Sequence, residues 1–146
     1  MDKRKLSDKN RNTLLIGVNR DIETTVEEIT EAMAKKRLNN LLSYPPNCGF
    51  TPEELKALEN IKMDNDLKSA LRKILAEACS RPLFSLFNYI DGTGDPGKDW
   101  TSVSFLDKEL DTDEEGEFLH DKFFELYWEW RKLRPKKDWK LDTYEG

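Results

Sequence analysis

Cysteine is scarce: the 146 residues hold only two, Cys48 and Cys79. A secreted domain stapled by disulfides shows more, at closer spacing, so the pair reads as free thiols in a reducing compartment. Histidine occurs once, at His120. That single ring excludes, within one chain, the paired Glu-x-x-His steps of a di-iron bundle, although Glu117-Phe118-Leu119-His120 spells one of them. No apolar run approaches the roughly 20 residues of a membrane span. The stretch Leu14-Leu15-Ile16-Gly17-Val18 is too short for the core of a secretory signal. Basic charge is in deficit, the formal net charge being -5. A general nucleic-acid binder needs a basic face, so that class is set aside, as is a membrane protein. The expectation is a cytoplasmic protein.

Hydrophobic residues make up 37% and charged residues 36% of the chain, well above the roughly 25% charged share of an average soluble domain. Aromatics reach 10% and cluster with Leu and Ile, which predicts a core beneath a charged shell rather than disorder. The length fits one domain spanning 1–146, with residues 1–12 as a frayed polar end. There is no internal repeat and no linker.

Helical signals dominate. Thr24 and Thr25 stand three residues before Glu27 and Glu28, as in a capping box, and Val26, Ile29 and Met33 follow at helical spacing. This helix is expected to run through Leu38, Leu41 and Leu42 until Pro45-Pro46 stops it. Thr51-Pro52-Glu53-Glu54 is a strong helix start, and its helix is expected to end near Met63. Asp64 or Asn65 caps the next, whose stripe is Leu67, Leu71, Ile74, Leu75 and Ala78. Pro82 either kinks that helix or separates two. Residues 83–90 are apolar almost all round and are expected to lie at the centre of the core. Gly92 fits the left-handed position that ends a helix.

Thr13–Val18 reads as a short strand or lead-in, and partial alternation over 100–106 could give it a partner. Thr112 or Asp113 is expected to cap a last long helix reaching Leu133, with Pro135 beyond it. Leu119, Phe123, Leu126, Tyr127, Trp130 and Leu133 form its stripe, expected to face the core, and Trp139 and Tyr144 in the tail are placed to fold back. The fold class is therefore mainly α, four to five helices with at most a two-stranded ribbon.

No motif names a reaction. Asp91, Thr93, Asp95 and Asp99 place oxygens as the start of a calcium loop does, but position six is Pro96 rather than Gly and position twelve is Ser102 rather than Glu. The same loop lacks the Gly-Lys-Ser/Thr ending of a phosphate cradle. Cys79 with His120 could serve as nucleophile and base, yet Cys79 borders an apolar stripe, where a thiol usually behaves as a small hydrophobe. No catalytic residue, metal ligand or cofactor is assigned.

The last helix carries more. His120, Phe124 and Trp128 are spaced by four, beside the stripe, and with Trp130 they make it apolar over more than half its circumference. Such a helix is either central or meets a partner. Residues 107–117 hold seven acids against Lys108 alone. Acids there complement the helix dipole, and they also steer basic partners. The expected partner-binding residues are Glu114, Glu115, Glu117, His120, Phe124 and Trp128, and the expected partner is a basic protein.

The segment Arg81–Gly92 (RPLFSLFNYIDG), with the acidic stretch and Leu119-His120-Asp121, resembles small bacterial proteins, some of them immunity-type or toxin-neutralising. The resemblance spans about residues 50–130 and implies a bacterial, intracellular, non-catalytic protein; an immunity-type inhibitor of a basic toxin or nuclease is one form that the expected protein-binding domain could take. It transfers no site residues. Two other readings stand beside it: a metal-dependent enzyme using Asp91, Asp95 and Asp99, and a scaffold that forms a homodimer through its aromatic face.

Overall fold

In a computed structural model, which describes residues 6–108, 119–135, 137 and 142–145, the chain is mainly helical. Five helices follow in order: α1 (Asp8–Ala34), α2 (Pro52–Glu59), α3 (Asn65–Asp91), α4 (Leu119–Glu125) and α5 (Tyr127–Leu133). The chain divides into two units. One comprises 1–31 and 63–112, the other 32–62 and 113–146. None of the described helices is long and apolar enough to cross a membrane.

The first unit holds α3 and nearly all of α1. α1 begins earlier than the sequence suggests. Ser7 Oγ accepts from the Asn10 amide at 3.2 Å, and the Asp107 carboxylate accepts from the Ser7 amide at 3.1 Å and Asn10 Nδ2 at 2.9 Å. Asp107 thus serves as a distant cap for this helix. Those bonds, led by the Ser7 amide, hold its carboxyl below the ordinary value. Leu14–Val18 is therefore helical, not a strand. Thr24 and Thr25 lie inside the helix rather than capping it. Thr30, fully buried, satisfies its hydroxyl by donating to the Val26 carbonyl at 2.9 Å. Arg72 of α3 pairs with Glu27 of α1 at 2.5 Å, and Lys68 pairs with Glu31.

α3 starts as expected, with Asp64 Oδ1 accepting from the Leu67 amide at 2.8 Å. It runs unbroken through Pro82, so proline sits inside one helix. Residues 83–90 are not a buried centre: Phe84 and Leu86 are exposed, and no residue of α3 is fully buried. Gly92, at φ 75°, ends the helix, with the Thr93 amide donating to the Asn88 carbonyl at 2.9 Å and the Gly92 amide to the Tyr89 carbonyl at 3.4 Å. No strand forms over the described part of 100–108.

In the second unit, α1 closes by the same double bond: the Arg37 amide donates to Ala32 O at 2.8 Å and the Lys36 amide to Met33 O at 3.2 Å. Here the left-handed residue is Lys36, at φ 55°. The helix so ends well short of Pro45-Pro46, and Leu38, Leu41 and Leu42 lie outside it. Lys36 Nζ then donates to the Leu58 and Ile61 carbonyls, groups left open where α2 ends. α2 has the expected capping box, Thr51 Oγ accepting from the Glu54 amide and Glu54 Oε2 from the Thr51 amide at 2.8 Å. It ends at Glu59, one turn sooner than expected. Among the described residues the only β pairing is an isolated antiparallel bridge, Cys48 with Asp142.

Candidate docking surface

Tyr127 is the buried anchor of the second unit's aromatic cluster. The Tyr44 ring packs against it edge-on at 5.7 Å, and stacks on Phe123 at 5.3 Å. Phe124 meets Tyr44 and Phe123, while Trp128 lies between Tyr127 and Tyr144, with centroids 5.2 and 5.6 Å away. Edge-to-face rings of this kind hold one another in place beyond their simple burial. Tyr144, in the tail, folds back as the sequence suggests, while Trp139, expected to do the same, lies outside the described residues.

A polar lock lies under the rings. The Tyr127 hydroxyl donates to the buried Asp142 carboxylate and accepts from Arg134 at 3.1 Å. Asp142 also accepts from Arg131 Nε and from the Tyr144 amide, both at 3.1 Å. Burial alone would raise the Asp142 carboxyl. The Tyr127 hydroxyl, the Tyr144 amide and the Arg131 charge outweigh it and hold the group below its usual value. Burial, then the same carboxylate, pushes the Tyr127 hydroxyl up.

The outer side of α4 and α5 is the opposite of what the sequence suggests. Leu119, Phe123, Leu126, Trp130 and Leu133 are 85%, 59%, 50%, 53% and 74% exposed. Only Tyr127, of the six stripe residues expected to be buried, is inside. Leu126 links the two helices with right-handed dihedrals, φ -70° and ψ -8°, and its carbonyl accepts from the Trp130 amide at 3.1 Å. The one long helix expected to reach Leu133 is thus two short helices over its described part, and its expected caps, Thr112 or Asp113, lie outside the described residues. Tyr44 and the Asp142 segment pack against Tyr127, and Tyr44 also stacks on Phe123, while no described segment covers the rest of the stripe to the same extent.

Of the residues expected to bind a partner, Glu114, Glu115 and Glu117 lie outside the described residues. His120 is largely exposed, its Nε2 3.5 Å from the Asp121 carboxylate. Phe124 is 37% exposed at the edge of the cluster, and Trp128 is half-buried within it. The structure brings Phe124 and Trp128 into one ring cluster with Tyr127. Sequence reasoning missed Tyr44, which no helical periodicity ties to α4, and missed Phe123 and Trp130 as surface residues.

The 91–99 loop is a helix-ending turn in which Asp95 Oδ1 accepts from the Gly97 amide at 2.8 Å. Among the described residues no three His, Cys, Asp or Glu side chains converge as metal ligands would. Among the described residues each unit has an open hollow of several hundred Å³. In the first, about 510 Å³ lies among Leu14, Leu15, Phe84, Phe87, Ile90 and Phe105. In the second, about 730 Å³ lies between α2 and residues 142–145. Both acids that α2 and the bridge present there are engaged, Glu54 in its capping box and Asp142 in the lock.

No family model, curated protein or solved structure matches this chain.

Proposed function

We propose that this chain is a non-catalytic protein-docking domain of the cytoplasm, and that its docking surface is the exposed stripe of α4 and α5. One observation carries the reading. Five large apolar side chains at helical spacing all stand at least half exposed. A contiguous apolar stripe on a heavily charged protein is a feature of interaction sites rather than of ordinary surface. Phe124 and Trp128 belong to the neighbouring ring cluster, Phe124 against Phe123 and Trp128 against Tyr127. The residues Asp113, Glu114, Glu115 and Glu117, directly before α4 in the sequence, favour a basic partner by raising its rate of encounter. An immunity-type inhibitor of a basic toxin or nuclease is one form of this reading.

The test is affinity capture from a native lysate at low salt, followed by titration of the purified pair. Three baits are compared: the native chain, Trp130→Ser with Leu133→Ser, and charge reversal to Lys at Glu114, Glu115 and Glu117. A basic protein whose affinity falls at least about tenfold with either altered bait supports the reading. Equal binding to all three folded baits refutes it.

A further inference from the structure

We infer that residues 142–145 occupy, in cis, a docking site for an extended segment of another protein, and that this segment carries Asp-x-aromatic with apolar residues in place of Thr143 and Glu145. The chain's own segment shows what the site recognises. Its seat is built by α5 and by Asn47 and Cys48, ahead of α2. The first position is a carboxylate: Asp142 accepts from the Tyr127 hydroxyl and from Arg131 Nε at 3.1 Å, and its backbone forms the antiparallel bridge to Cys48. The second is read through the backbone, the Thr143 amide donating to the Asn47 carbonyl at 2.8 Å. The Thr143 hydroxyl donates to the same oxygen, which the amide alone satisfies. The third is a ring. Tyr144 meets Trp128 edge-on at 5.6 Å, and the Arg131 guanidinium stands 5.6 Å from its centroid. Arg131 Nη2 also donates to the Tyr144 carbonyl at 3.1 Å, so one arginine grips the first and third positions together. Backbone bonds for affinity and side-chain seats for choice are how extended peptides are held at an exposed edge.

Exchange follows from the poor fit of this segment toward α2. Thr143 and Glu145 line the hollow of about 730 Å³, whose apolar wall is Leu42, Phe50, Ala57 and Leu58. A hydroxyl and a carboxylate thus stand beside a wall that offers apolar contact, and the space remains open. Asp142 is buried, but Thr143, Tyr144 and Glu145 are exposed, so little apolar burial holds the segment. A foreign segment with the same Asp-x-aromatic and larger apolar residues at the second and fourth positions keeps the polar grip and adds the wall. That addition is what a rival needs against a tethered segment, whose effective concentration is on the order of millimolar. A second copy of this chain brings the same Thr and Glu and gains nothing over the segment already seated. The seat uses Tyr127, Trp128 and Arg131 rather than the exposed stripe, so it stands or falls apart from the docking reading above.

The probes are labelled synthetic peptides titrated into the full chain by fluorescence anisotropy. The first is Leu-Asp-Leu-Tyr-Leu. The second is the native segment, Leu-Asp-Thr-Tyr-Glu. The third is the first with Asn for Asp, and the fourth is the first in scrambled order. The native chain should bind the first peptide at least about tenfold tighter than each of the others. As that peptide binds, the Thr143 amide should lose its protection from hydrogen exchange, because its bond to Asn47 is given up. Asp142→Ala opens the seat while leaving its walls in place, and this chain should bind both the first and the native-segment peptides about tenfold or more tighter than the native chain does. Thr143→Pro, which removes the amide donor, is a second opened chain.

Equal binding of the first and scrambled peptides overturns the inference, since stickiness alone would then suffice. Equal binding of the Asp and Asn peptides overturns it too, because the carboxylate would not be read. If the first peptide binds no tighter than the native segment, the hollow contributes nothing and the proposed exchange falls. Binding of the first peptide with the Thr143 amide still protected means that the hollow fills without displacing the segment, which also overturns it. Light scattering that shows an opened chain as a dimer overturns it in favour of a second copy.

Discussion

Replacing Asp142 by Ala should unfasten the support beneath the aromatic cluster. The carboxylate receives three donors: the Tyr127 hydroxyl, Arg131 Nε and the Tyr144 amide. The losses are unequal. Tyr127 is buried, so its hydroxyl keeps only the contact from Arg134, and a buried polar group left without its acceptor costs about 1–3 kcal/mol. Arg131 is 28% exposed and retains the Tyr144 carbonyl at 3.1 Å, so water recovers much of its share. The exposed Tyr144 amide rehydrates. The sum is about 2–4 kcal/mol for Ala, and about 1–2 kcal/mol for Asn, which keeps an acceptor but loses the charge.

Urea unfolding gives the total, and hydrogen exchange of the α5 amides localises it. The exchange readout matters because two units need not unfold together. The pH dependence is a second test. Asp142 is held below its ordinary carboxyl value in the fold, so its contribution is whole above about pH 4 and is lost as pH falls through the lower, folded value. The gap between native and Asn variants should therefore narrow in acid. A loss below about 0.5 kcal/mol for Asp142→Ala, with unchanged α5 exchange, would refute the lock, since that is the scale of a neutral surface change.

Four further outcomes follow from the same geometry. Gly92→Ala should cost about 1–2 kcal/mol by thermal melting: a Cβ there meets no atom within 4 Å, so the whole penalty is the left-handed backbone at φ 75°. Pro82→Ala should stabilise α3 by about 1–3 kcal/mol and raise the helical circular dichroism signal, because an amide returns to the interior of an unbroken helix. Asp107→Ala should loosen the start of α1, seen as faster exchange of its first-turn amides. The native protein should lose the same protection as pH falls below the ordinary carboxyl value, since Asp107 is held low. Trp130→Ser with Leu133→Ser should shift stability by no more than about 0.5 kcal/mol, since both side chains already stand mostly in water.

What was legible in the sequence was chemistry written into adjacent residues. Thr51-Pro52-Glu53-Glu54 announces α2, and its capping box is there. Asp64 and Gly92 bracket α3, because a cap and a left-handed glycine are local requirements. The two ends of α1 were not legible for equally physical reasons. Its start depends on Asp107, a hundred residues from Ser7 along the chain. Its end uses the hydrogen bonds that close α3, but with Lys36 where Gly92 stands, so no glycine marks the stop. Lys36 has a use that glycine lacks, since its ammonium covers the Leu58 and Ile61 carbonyls.

The stripe of the last helices shows where periodicity runs out. A row of apolar side chains at spacings of three and four says that one face of a helix prefers company, and the free energy of burial is the same whether that company is intramolecular or foreign. Which it is depends on how much other chain can reach the face, a property of the tertiary arrangement. Here Tyr44 and Asp142 meet Tyr127, Tyr44 also stacks on Phe123, and Leu119, Leu126, Trp130 and Leu133 stand at least half in water. The core reading and the docking reading therefore made one prediction from sequence and make two from structure. Truncating a core stripe of this size would cost several kcal/mol of stability, while truncating a docking stripe leaves stability nearly untouched and removes affinity. A Trp130→Ser, Leu133→Ser protein that melts with the native chain yet loses its partner would show the stripe to be a docking surface. One that unfolds would return it to the core.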